Sequence, residues 1–372
     1  MSDLVAAARD RARAVVVPNV ARWEREGRFP RDAVAAAAAV GLCGLFAHTE
    51  VGGQGKTFAE GMPVFEELGR GDASYAFALS MHNAVTTAIA LHASPAVRER
   101  WASRLTAGEA LGNFSLTEPH AGSDAAAITT RAEEVAGGYR LSGRKAWVSL
   151  AGEADLYLLA CRTGEAPGYR DIMMVALPAD RPGVRVASLY DKMASAFLPI
   201  GELELDGVEL TAEEVVAPPG SGFKAALGAI DVARADIAAI AVGLAVEALE
   251  IALAYARDRS IFGGTVLDLE AVQFMLADVE TDVVAGRLLY RYAAERLGGP
   301  EGSVAAAHAK RFCPDAALRA AITCSEVLGA YGWLNDTPLP RFIALAKMLQ
   351  VVDGTTEIQR VVIARELRQR VG

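Results

Sequence analysis

A lone carboxylate, Asp353, ends an apolar run in the stretch MLQVVDGTTEIQRVVIAREL (348–367). A Gly-Thr-Thr turn follows it, and the next residues have the composition of a helix. An Asp before a helix commonly accepts hydrogen bonds from the free amides of the first turn, and Thr356 with Gln359 has the spacing of a capping box. The chemical alternative is a base, because the apolar residues before Asp353 would desolvate its carboxylate and raise its pKa. On this stretch alone, a helix cap is the simpler interpretation.

A second polar cluster lies in GNFSLTEPHAGSDAAA (112–127), where Thr117 and Ser123 flank a predicted tight turn. Hydroxyls and exposed amides of this kind can hold a polar ring edge or a phosphate, although the same residues are ordinary turn formers. About thirty residues later, Trp147 and Ser149 share one face of a predicted strand. The pair is suited to walling a flat cofactor, while a core tryptophan is the more common use of such a residue.

Several other kinds of chemistry are disfavoured by motifs that the sequence lacks. It contains no GxGxxG before a helix, no GxxxxGK[ST], no HExxH and no GxSxG. The histidines show no metal-ligand spacing, so no metal site is predicted. They are His48, His82, His92, His120 and His308. His82 and the adjacent Asn83 are either substrate contacts or polar groups of the core.

The bulk composition disfavours several partners. The 372-residue chain has a net charge of -9 and a pI near 5.3, which argues against a nucleic-acid or anionic-membrane surface. The four cysteines lack CxxC or Cys/His spacing and predict reduced, buried thiols in a cytoplasmic protein. No signal-peptide core is apparent, and the most apolar segment, 237–256, is interrupted by Glu247 and Glu250. We therefore expect a buried helix there and no integral membrane segment.

The elements that must position these residues follow the order helices, strands, helices. Alanine-rich helical spacing predicts an N-terminal α-helical domain over 1–111, and short β-branched or aromatic segments predict a central β domain over 112–216. Helical periodicity then returns, which predicts a C-terminal four-helix bundle over 217–372. Its helices are expected at 223–258, 268–297, 301–330 and 341–371.

Taken together, these stretches resemble the acyl-CoA dehydrogenase family over essentially the whole chain. Four signatures occur in the family's order: LTEPHAGSD (116–124), GRKAWVS (143–149), ARDRSIFG (256–263), and LGAYGW with DGTTEIQR (328–360). The resemblance implies a mainly α fold with an N-terminal helical domain, a small central β-barrel or sandwich and a C-terminal four-helix bundle. It also implies that FAD lies between the domains at a subunit contact of a homotetramer or homodimer. An electron-transfer flavoprotein is the implied electron acceptor.

The resemblance also assigns flavin contacts residue by residue. The predicted FAD-binding residues are Phe114, Leu116, Thr117, Ser123, Trp147, Ser149, Arg259, Phe262, Glu326, Thr355 and Glu357. Trp147 would pack on the flavin, and Ser149 would bond near N5. Arg259 and Phe262 would meet the diphosphate and adenine of an FAD in the neighbouring subunit. Glu326 stands where many members have Gln, and its negative charge argues against a diphosphate contact there.

The family's catalytic base is a glutamate directly before Gly-Thr, and Asp353 has that position here. Some members carry the base on the first long helix of the bundle, where this chain has Ala233, which cannot serve. The resemblance therefore makes Asp353 the predicted α-proton base and reverses the helix-cap interpretation. Arg234, Ser123 and Gly354 are predicted to contact the substrate. In this family, hydride passes from the β-carbon of an acyl thioester to flavin N5.

Aspartate is one methylene shorter than glutamate, and this leaves three functions open. The first is dehydrogenation of a branched, cyclic or carrier-protein-bound acyl thioester, as in related cyclohexanecarboxyl-CoA dehydrogenases that use aspartate. The second is a nitroalkane-oxidase-like flavin oxidase, since those relatives have an aspartate base and an arginine seven residues later, here Arg360. The third is a catalytically inactive flavin-binding homologue. The GFK sequence at 222–224 looks more like a thioester enzyme, so the dehydrogenase is ranked first.

Overall fold

The structure is a computed structural model that describes residues 3–164 and 168–371. The predicted domain ranges also include residues 1, 2, 165–167 and 372, which lie outside the described residues. The described part of the chain contains eleven α-helices: α1 (Asp3–Arg11), α2 (Val17–Glu26), α3 (Arg31–Ala38), α4 (Phe58–Gly71), α5 (Ala73–His92), α6 (Pro95–Thr106), α7 (Gly222–Asp258), α8 (Glu270–Arg296), α9 (Gly302–Val327), α10 (Leu339–Val351) and α11 (Thr356–Gln369).

Ten strands lie in the same described residues, eight of them between α6 and α7. They are β1 (Gly112–Ser115), β2 (Arg131–Val135), β3 (Gly138–Ser149), β4 (Leu156–Arg162), β5 (Ile172–Pro178), β6 (Val184–Leu189), β7 (Ile200–Thr211), β8 (Val215–Ala217), β9 (Ser260–Ile261) and β10 (Gly264–Thr265). Helices therefore precede and follow a block of strands, as the sequence predicts.

The chain forms two compact units. One, called the helical unit below, comprises Met1–Pro18, Phe58–Phe77 and Arg234–Gly372. The other, called the sheet unit, comprises Asn19–Thr57 and Ala78–Ala233. The division into three domains at residues 111 and 216 stays a prediction.

The sheet unit is built on one eight-stranded mixed sheet. Its strands are ordered β6-β7-β3-β2-β4-β5-β8, and β1 pairs in parallel with β4. Strands β4 and β5 are buried along almost their whole length, since both of their faces are covered. Their side chains join a core that includes Val85, Trp101, Leu105, Leu156 and Met174. This core also includes Leu116 and Ala121, which hold the motif at 116–124 after β1.

Helix α9 is the centre of the helical unit and packs against α8, α10 and α11. Its buried residues are mostly alanines, which allow neighbouring helices to approach closely. The contact between α4 and α7 is also tight, because a Cβ on Gly243 would lie 2.0 Å from the carbonyl oxygen of Glu66. Only glycine is compatible with that separation.

The helix predicted over 341–371 is two helices, so the prediction of a single fourth helix is wrong. Helix α10 ends at Val351 and α11 begins at Thr356, because Asp353 and Gly354 have left-handed backbone conformations that no α-helix contains. The predicted capping box of Thr356 with Gln359 is also wrong. The N-cap is Thr355, whose hydroxyl accepts a hydrogen bond from the Ile358 amide at 3.4 Å.

Helix α7 is long and apolar enough to cross a bilayer when judged by length and composition alone. Its most apolar stretch has a mean hydropathy of 2.1, and 72% of that stretch is buried inside the protein. Core helices pass the same test, and this degree of burial is what the sequence predicts for 237–256.

Candidate functional site

The turn between α10 and α11 holds Asp353 in an uncommon backbone conformation. Its φ is +51° and that of Gly354 is +95°. In the described residues, five non-glycine residues have positive φ, and three of them, Trp147, Phe262 and Asp353, are predicted site residues. Such conformations persist only where surrounding contacts hold them, and they are concentrated at functional sites.

Three buried side chains hold the carbonyl groups of this turn. Lys310 donates through Nζ to the Gly354 oxygen at 3.3 Å and to the Leu349 oxygen at 2.7 Å. Gln359 donates through Nε2 to the same Gly354 oxygen at 2.8 Å, and Arg234 donates through Nε to the Asp353 oxygen at 3.5 Å. Lys310 and Gln359 are 0% exposed and Arg234 is 6% exposed. The left-handed turn is therefore fixed from inside the helical unit.

The Asp353 carboxylate has a free acceptor. The residue is partly exposed as a whole, but its Oδ2 is buried and has no hydrogen-bond partner in the described part of the chain. Burial raises the pKa of Asp353 to about 6, and the positive charges of Lys310 and Arg234 oppose a larger rise. Burial likewise lowers the pKa of Lys310 to about 7, while Asp353 opposes that change. A carboxylate with a pKa near 6 is ionised at neutral pH and accepts a proton more readily than an ordinary aspartate.

The Asp353 amide is a second free group in this turn. Within the described residues its N–H donates to no acceptor, whereas the preceding Val352 amide closes the last turn of α10 at 3.1 Å from the Met348 oxygen. A free amide next to a free carboxylate can bind an oxygen that gains negative charge as the carboxylate removes a proton.

Two further predicted residues follow the turn. Thr355 caps α11, and Glu357 is exposed in the first turn of that helix. Arg360 is 50% exposed along its side chain and pairs with Glu357 at 3.4 Å, an ordinary i,i+3 ion pair on a helix face. The geometry of Arg360 thus needs no role in catalysis.

Arg259 and Phe262 lie at a small hairpin formed by β9 and β10. Phe262 has φ +50° and Gly263 has φ +84°, as expected for a two-residue hairpin turn. Phe262 is 92% exposed, and Arg259 and Glu326 are also exposed. In the part of the chain that the structure describes, no hydrogen bond or ion pair connects Arg259, Phe262 or Glu326 with the Asp353 turn.

The sheet unit brings its two predicted motifs side by side. The Ala146 amide donates to the Thr117 oxygen at 2.9 Å, and Lys145 Nζ donates to the Leu116 oxygen at 3.0 Å. The chain then reverses in a turn closed by Glu118 and Ala121, which bond each other through their backbones. Phe114 precedes this turn at the end of β1, whereas Ser123 follows it and is exposed.

A buried ion pair joins these two motifs. Lys145 Nζ is 2.8 Å from Glu118 Oε1, and their side chains are 0% and 1% exposed. Glu118 also accepts bonds from the Thr129 amide, the Thr129 hydroxyl and the Thr130 amide at 2.6, 2.9 and 2.9 Å. Burial would raise the pKa of Glu118, but Lys145 and these donors hold it at about 2. The pair fastens the loop at 116–118 to β3.

Trp147 is turned outward by a bulge in β3. The β3–β7 register shifts between Lys145 and Val148, and Trp147 itself has φ +56°. Its side chain is 63% exposed and packs on Tyr190 with ring centroids 4.4 Å apart, while Ser149 is 6% exposed. An exposed indole that packs against a second ring is available to stack on a flat ligand.

His82 and Asn83 are polar groups of the core. His82 Nε2 lies 3.0 Å from the Leu105 oxygen, and its Nδ1 accepts from the Gly112 amide at 3.1 Å. Asn83 accepts from the Leu45 amide at 2.9 Å and donates to two backbone oxygens. Burial lowers the pKa of His82 to about 4, so its ring is neutral at physiological pH.

Sequence reasoning did not identify Lys310, Lys145 or Glu118. The available signal was weak and local, since Lys310 follows a run of alanines and a histidine in α9 and Lys145 precedes Ala146 and Trp147. No cluster of metal-binding side chains occurs among residues 3–164 and 168–371, and the four cysteines are buried and free.

Comparison with known proteins gives consistent matches along the chain. The models "Acyl-CoA dehydrogenase, N-terminal domain", "middle domain" and "C-terminal domain" match residues 2–109, 113–208 and 220–368. A probable acyl-CoA dehydrogenase of Mycobacterium leprae is 33% identical over 368 residues, 98% of this chain and 95% of that protein.

Solved structures agree with these matches. The butyryl-CoA dehydrogenase of Megasphaera elsdenii superposes with a TM-score of 0.94 at 30% identity, covering 99% of this chain and 98% of its own. A glutaryl-CoA dehydrogenase of Mycobacterium smegmatis in complex with FADH2 superposes with a TM-score of 0.91 at 26% identity, covering 98% of this chain and 93% of its own.

Proposed function

This chain belongs to the acyl-CoA dehydrogenase family, and we propose that it dehydrogenates an acyl thioester with Asp353 as the α-proton base. Membership makes it a flavoprotein oxidoreductase with FAD as its cofactor, and the predicted fold class is confirmed. The substrate and the individual site residues are the proposed part.

The single observation that carries the proposal is the free, buried Oδ2 of Asp353. A buried carboxylate without hydrogen-bond donors is unfavourable for folding, and it is retained where it must accept a proton during a reaction. Because burial raises the pKa of Asp353 to about 6, its carboxylate is ionised at neutral pH.

The residues around Asp353 support the same step. The cations of Arg234 and Lys310 favour the ionised carboxylate before proton transfer. The free amide of Asp353 is available to the thioester oxygen, which gains negative charge as the α-proton leaves. The substrate contacts proposed for Arg234, Ser123 and Gly354 follow from the family resemblance.

The cofactor residues are proposed from the same resemblance. FAD, when bound, would accept the hydride from the β-carbon. The chain's residues proposed to hold it are Phe114, Leu116, Thr117, Ser123, Trp147, Ser149, Arg259, Phe262, Glu326, Thr355 and Glu357. The exposed indole of Trp147 and the exposed ring of Phe262 fit a ligand of flat rings, as does the cation of Arg259 for its diphosphate. The carboxylate of Glu326 fits an anionic diphosphate least.

The acyl group is proposed to be branched, cyclic or bound to a carrier protein. Aspartate is one methylene shorter than glutamate, and about 1 Å of misplacement costs on the order of a hundredfold in rate. A substrate whose α-carbon lies closer to the turn removes that cost. A nitroalkane oxidase remains the alternative reaction, although the pairing of Arg360 with Glu357 gives it no added support.

Three further assignments are proposals from the resemblance. An electron-transfer flavoprotein would accept the electrons, the assembly would be a homotetramer or homodimer, and the protein would be cytoplasmic. A catalytically inactive flavin-binding homologue is the alternative to the whole proposal.

An anaerobic absorbance titration of the FAD-loaded protein tests this function. Straight, branched and cyclic acyl-CoAs are compared with a carrier-protein thioester and a small nitroalkane. We expect branched or cyclic thioesters to bleach the visible absorbance of the oxidised flavin fastest. Bleaching by the nitroalkane alone would establish the oxidase, and a flavin that none of them bleaches would indicate an inactive homologue.

A further inference from the structure

We propose that Lys310 is a positioning residue that fixes the Asp353–Gly354 turn through two hydrogen bonds and places a positive charge at that turn. The inference rests on the proposed function, because it concerns the group that serves as the base there. It assigns a purpose to a fully buried lysine that takes no part in the proton transfer itself.

Burial of Lys310 is costly. Its side chain is 0% exposed in α9, among buried alanines such as Ala306, Ala307 and Ala309. A lysine is almost never fully buried unless its charge is compensated, since desolvating an ammonium costs several kcal/mol. Its two hydrogen-bond acceptors are neutral carbonyls, so they compensate the charge only in part.

The two carbonyls that Lys310 binds lie on either side of Asp353. Leu349 is in the last turn of α10, and Gly354 is the residue after Asp353. One ammonium therefore joins the chain on both sides of Asp353, at 2.7 and 3.3 Å. Gln359 supports the Gly354 oxygen from α11 at 2.8 Å, but it carries no charge. Lys310 thus supplies geometry and charge together on both sides of Asp353, and Arg234 does so at the Asp353 oxygen itself, at 3.5 Å.

Further charged groups act on Asp353 and Lys310. Arg234 of α7 favours the ionised form of Asp353 and disfavours the charged form of Lys310. Asp315 of α9 and Glu357 of α11 favour the charged form of Lys310. Loss of the Lys310 charge leaves Arg234 as the cation that favours the Asp353 anion, so the carboxyl of Asp353 should hold its proton to a higher pH.

The experiment compares the wild type with Lys310→Met, Lys310→Arg and Lys347→Met. Lys347 is an exposed lysine of α10 that bonds Gln350 at 3.0 Å and serves as the matched control. For each protein, the first-order rate of flavin reduction by the best thioester is measured from pH 5 to 8, together with FAD content.

We expect Lys310→Met to move the acid limb of this profile to higher pH by about one unit, which slows reduction about twofold at pH 7 and about tenfold at pH 5. Lys310→Arg keeps the charge, so its acid limb should stay in place while its altered donor geometry lowers the plateau rate. Lys347→Met should match the wild type. A folded, FAD-loaded Lys310→Met variant with an unmoved limb and plateau would overturn the inference.

If Lys310→Met does not fold, Lys310→Arg decides, because a plateau rate equal to that of the wild type would exclude a positioning role. Infrared difference spectra between pH values give a readout without substrate. The protonated-carboxyl band of Asp353 is identified by its loss in Asp353→Asn, and its midpoint should rise in Lys310→Met. A wild type that no thioester reduces would refute the proposed function, whereas an unmoved infrared midpoint would refute the role of Lys310.

Discussion

Two buried lysines of this protein neighbour a carboxylate, but the two pairs are built in opposite ways. In the sheet unit, Lys145 contacts Glu118 directly at 2.8 Å, and Glu118 accepts three further hydrogen bonds from Thr129 and Thr130. In the helical unit, Lys310 donates to two backbone carbonyls, and Asp353 keeps a buried oxygen that has no partner among the described residues.

The difference appears in the pKa values of the two carboxyl groups. The donors around Glu118 outweigh the effect of burial and hold its pKa at about 2. For Asp353, burial outweighs the charges of Lys310 and Arg234 and raises the pKa to about 6. A fully satisfied pair stays ionised and stabilises a loop, whereas an incompletely satisfied carboxylate can change its protonation state near neutral pH. Under the proposed function, the number of hydrogen-bond donors therefore separates a structural pair from the pair that contains the base.

The largest effect is expected when the reactive carboxylate is removed. Asp353→Asn should lower flavin reduction by about 10²- to 10⁴-fold, the range of general-base catalysis, and should leave FAD bound. Anaerobic stopped-flow absorbance with each thioester measures the rate. Asp282→Asn is the control, because Asp282 forms an exposed ion pair with Arg319 at 2.8 Å in the same unit. Reduction of Asp353→Asn at a rate near that of the wild type would place the base elsewhere.

Removal of one partner of the Lys145–Glu118 pair should instead lower the stability of the protein. Lys145→Met should lower the free energy of unfolding by about 3 to 5 kcal/mol, because it leaves Glu118 buried without its cation. Replacing both partners, as Lys145→Met with Glu118→Leu, should cost less than either single change. Denaturant unfolding at pH 7 measures this, with Arg140→Met on the exposed Glu209 pair as control. A loss below about 1 kcal/mol would mean that the pair behaves like a surface ion pair.

Lengthening the reactive side chain tests whether its position is matched to the substrate. Asp353→Glu should slow the thioester preferred by the wild type by on the order of a hundredfold, because the carboxylate moves by about 1 Å. The rate of flavin reduction by straight-chain acyl-CoAs should fall less or should rise. The ratio of rates for the two substrate classes is the measurement, and an equal gain for every thioester would show that the aspartate is not tuned to a bulky acyl group.

The smallest effect is the pH dependence of the wild type. A base acts only when ionised, so reduction should fall as pH drops below about 6, the pKa of Asp353, by about tenfold for each pH unit. Above that pH the rate should level. Glu118 stays ionised over this range because its pKa is about 2. The acid limb of the rate profile therefore does not reflect the titration of Glu118. A rate that is flat from pH 5 to 8 would contradict the raised pKa.

Local pattern was sufficient for the order of elements in this protein. Apolar spacing of about 3.6 residues separates the helices from the β-branched segments, and glycine and proline mark the ends of both. At 341–371 the same local information indicated a turn after Asp353 but not its left-handed geometry, because the residues on both sides of Asp353 and Gly354 favour helix. The left-handed turn depends on Lys310, Gln359 and Arg234, which are not all near it in the chain.

The sequence by itself determined the family, the sequence of helices and strands, and Asp353 as the candidate base, because short motifs and periodicity are local properties of the chain. Tertiary structure alone decided which charged groups and hydrogen-bond donors surround each carboxylate. Lys310 is 44 residues from Gly354, and Lys145 is 27 residues from Glu118. Burial and hydrogen-bond donors at such separations arise only when helices and strands pack, and they set which carboxylate is inert and which can accept a proton.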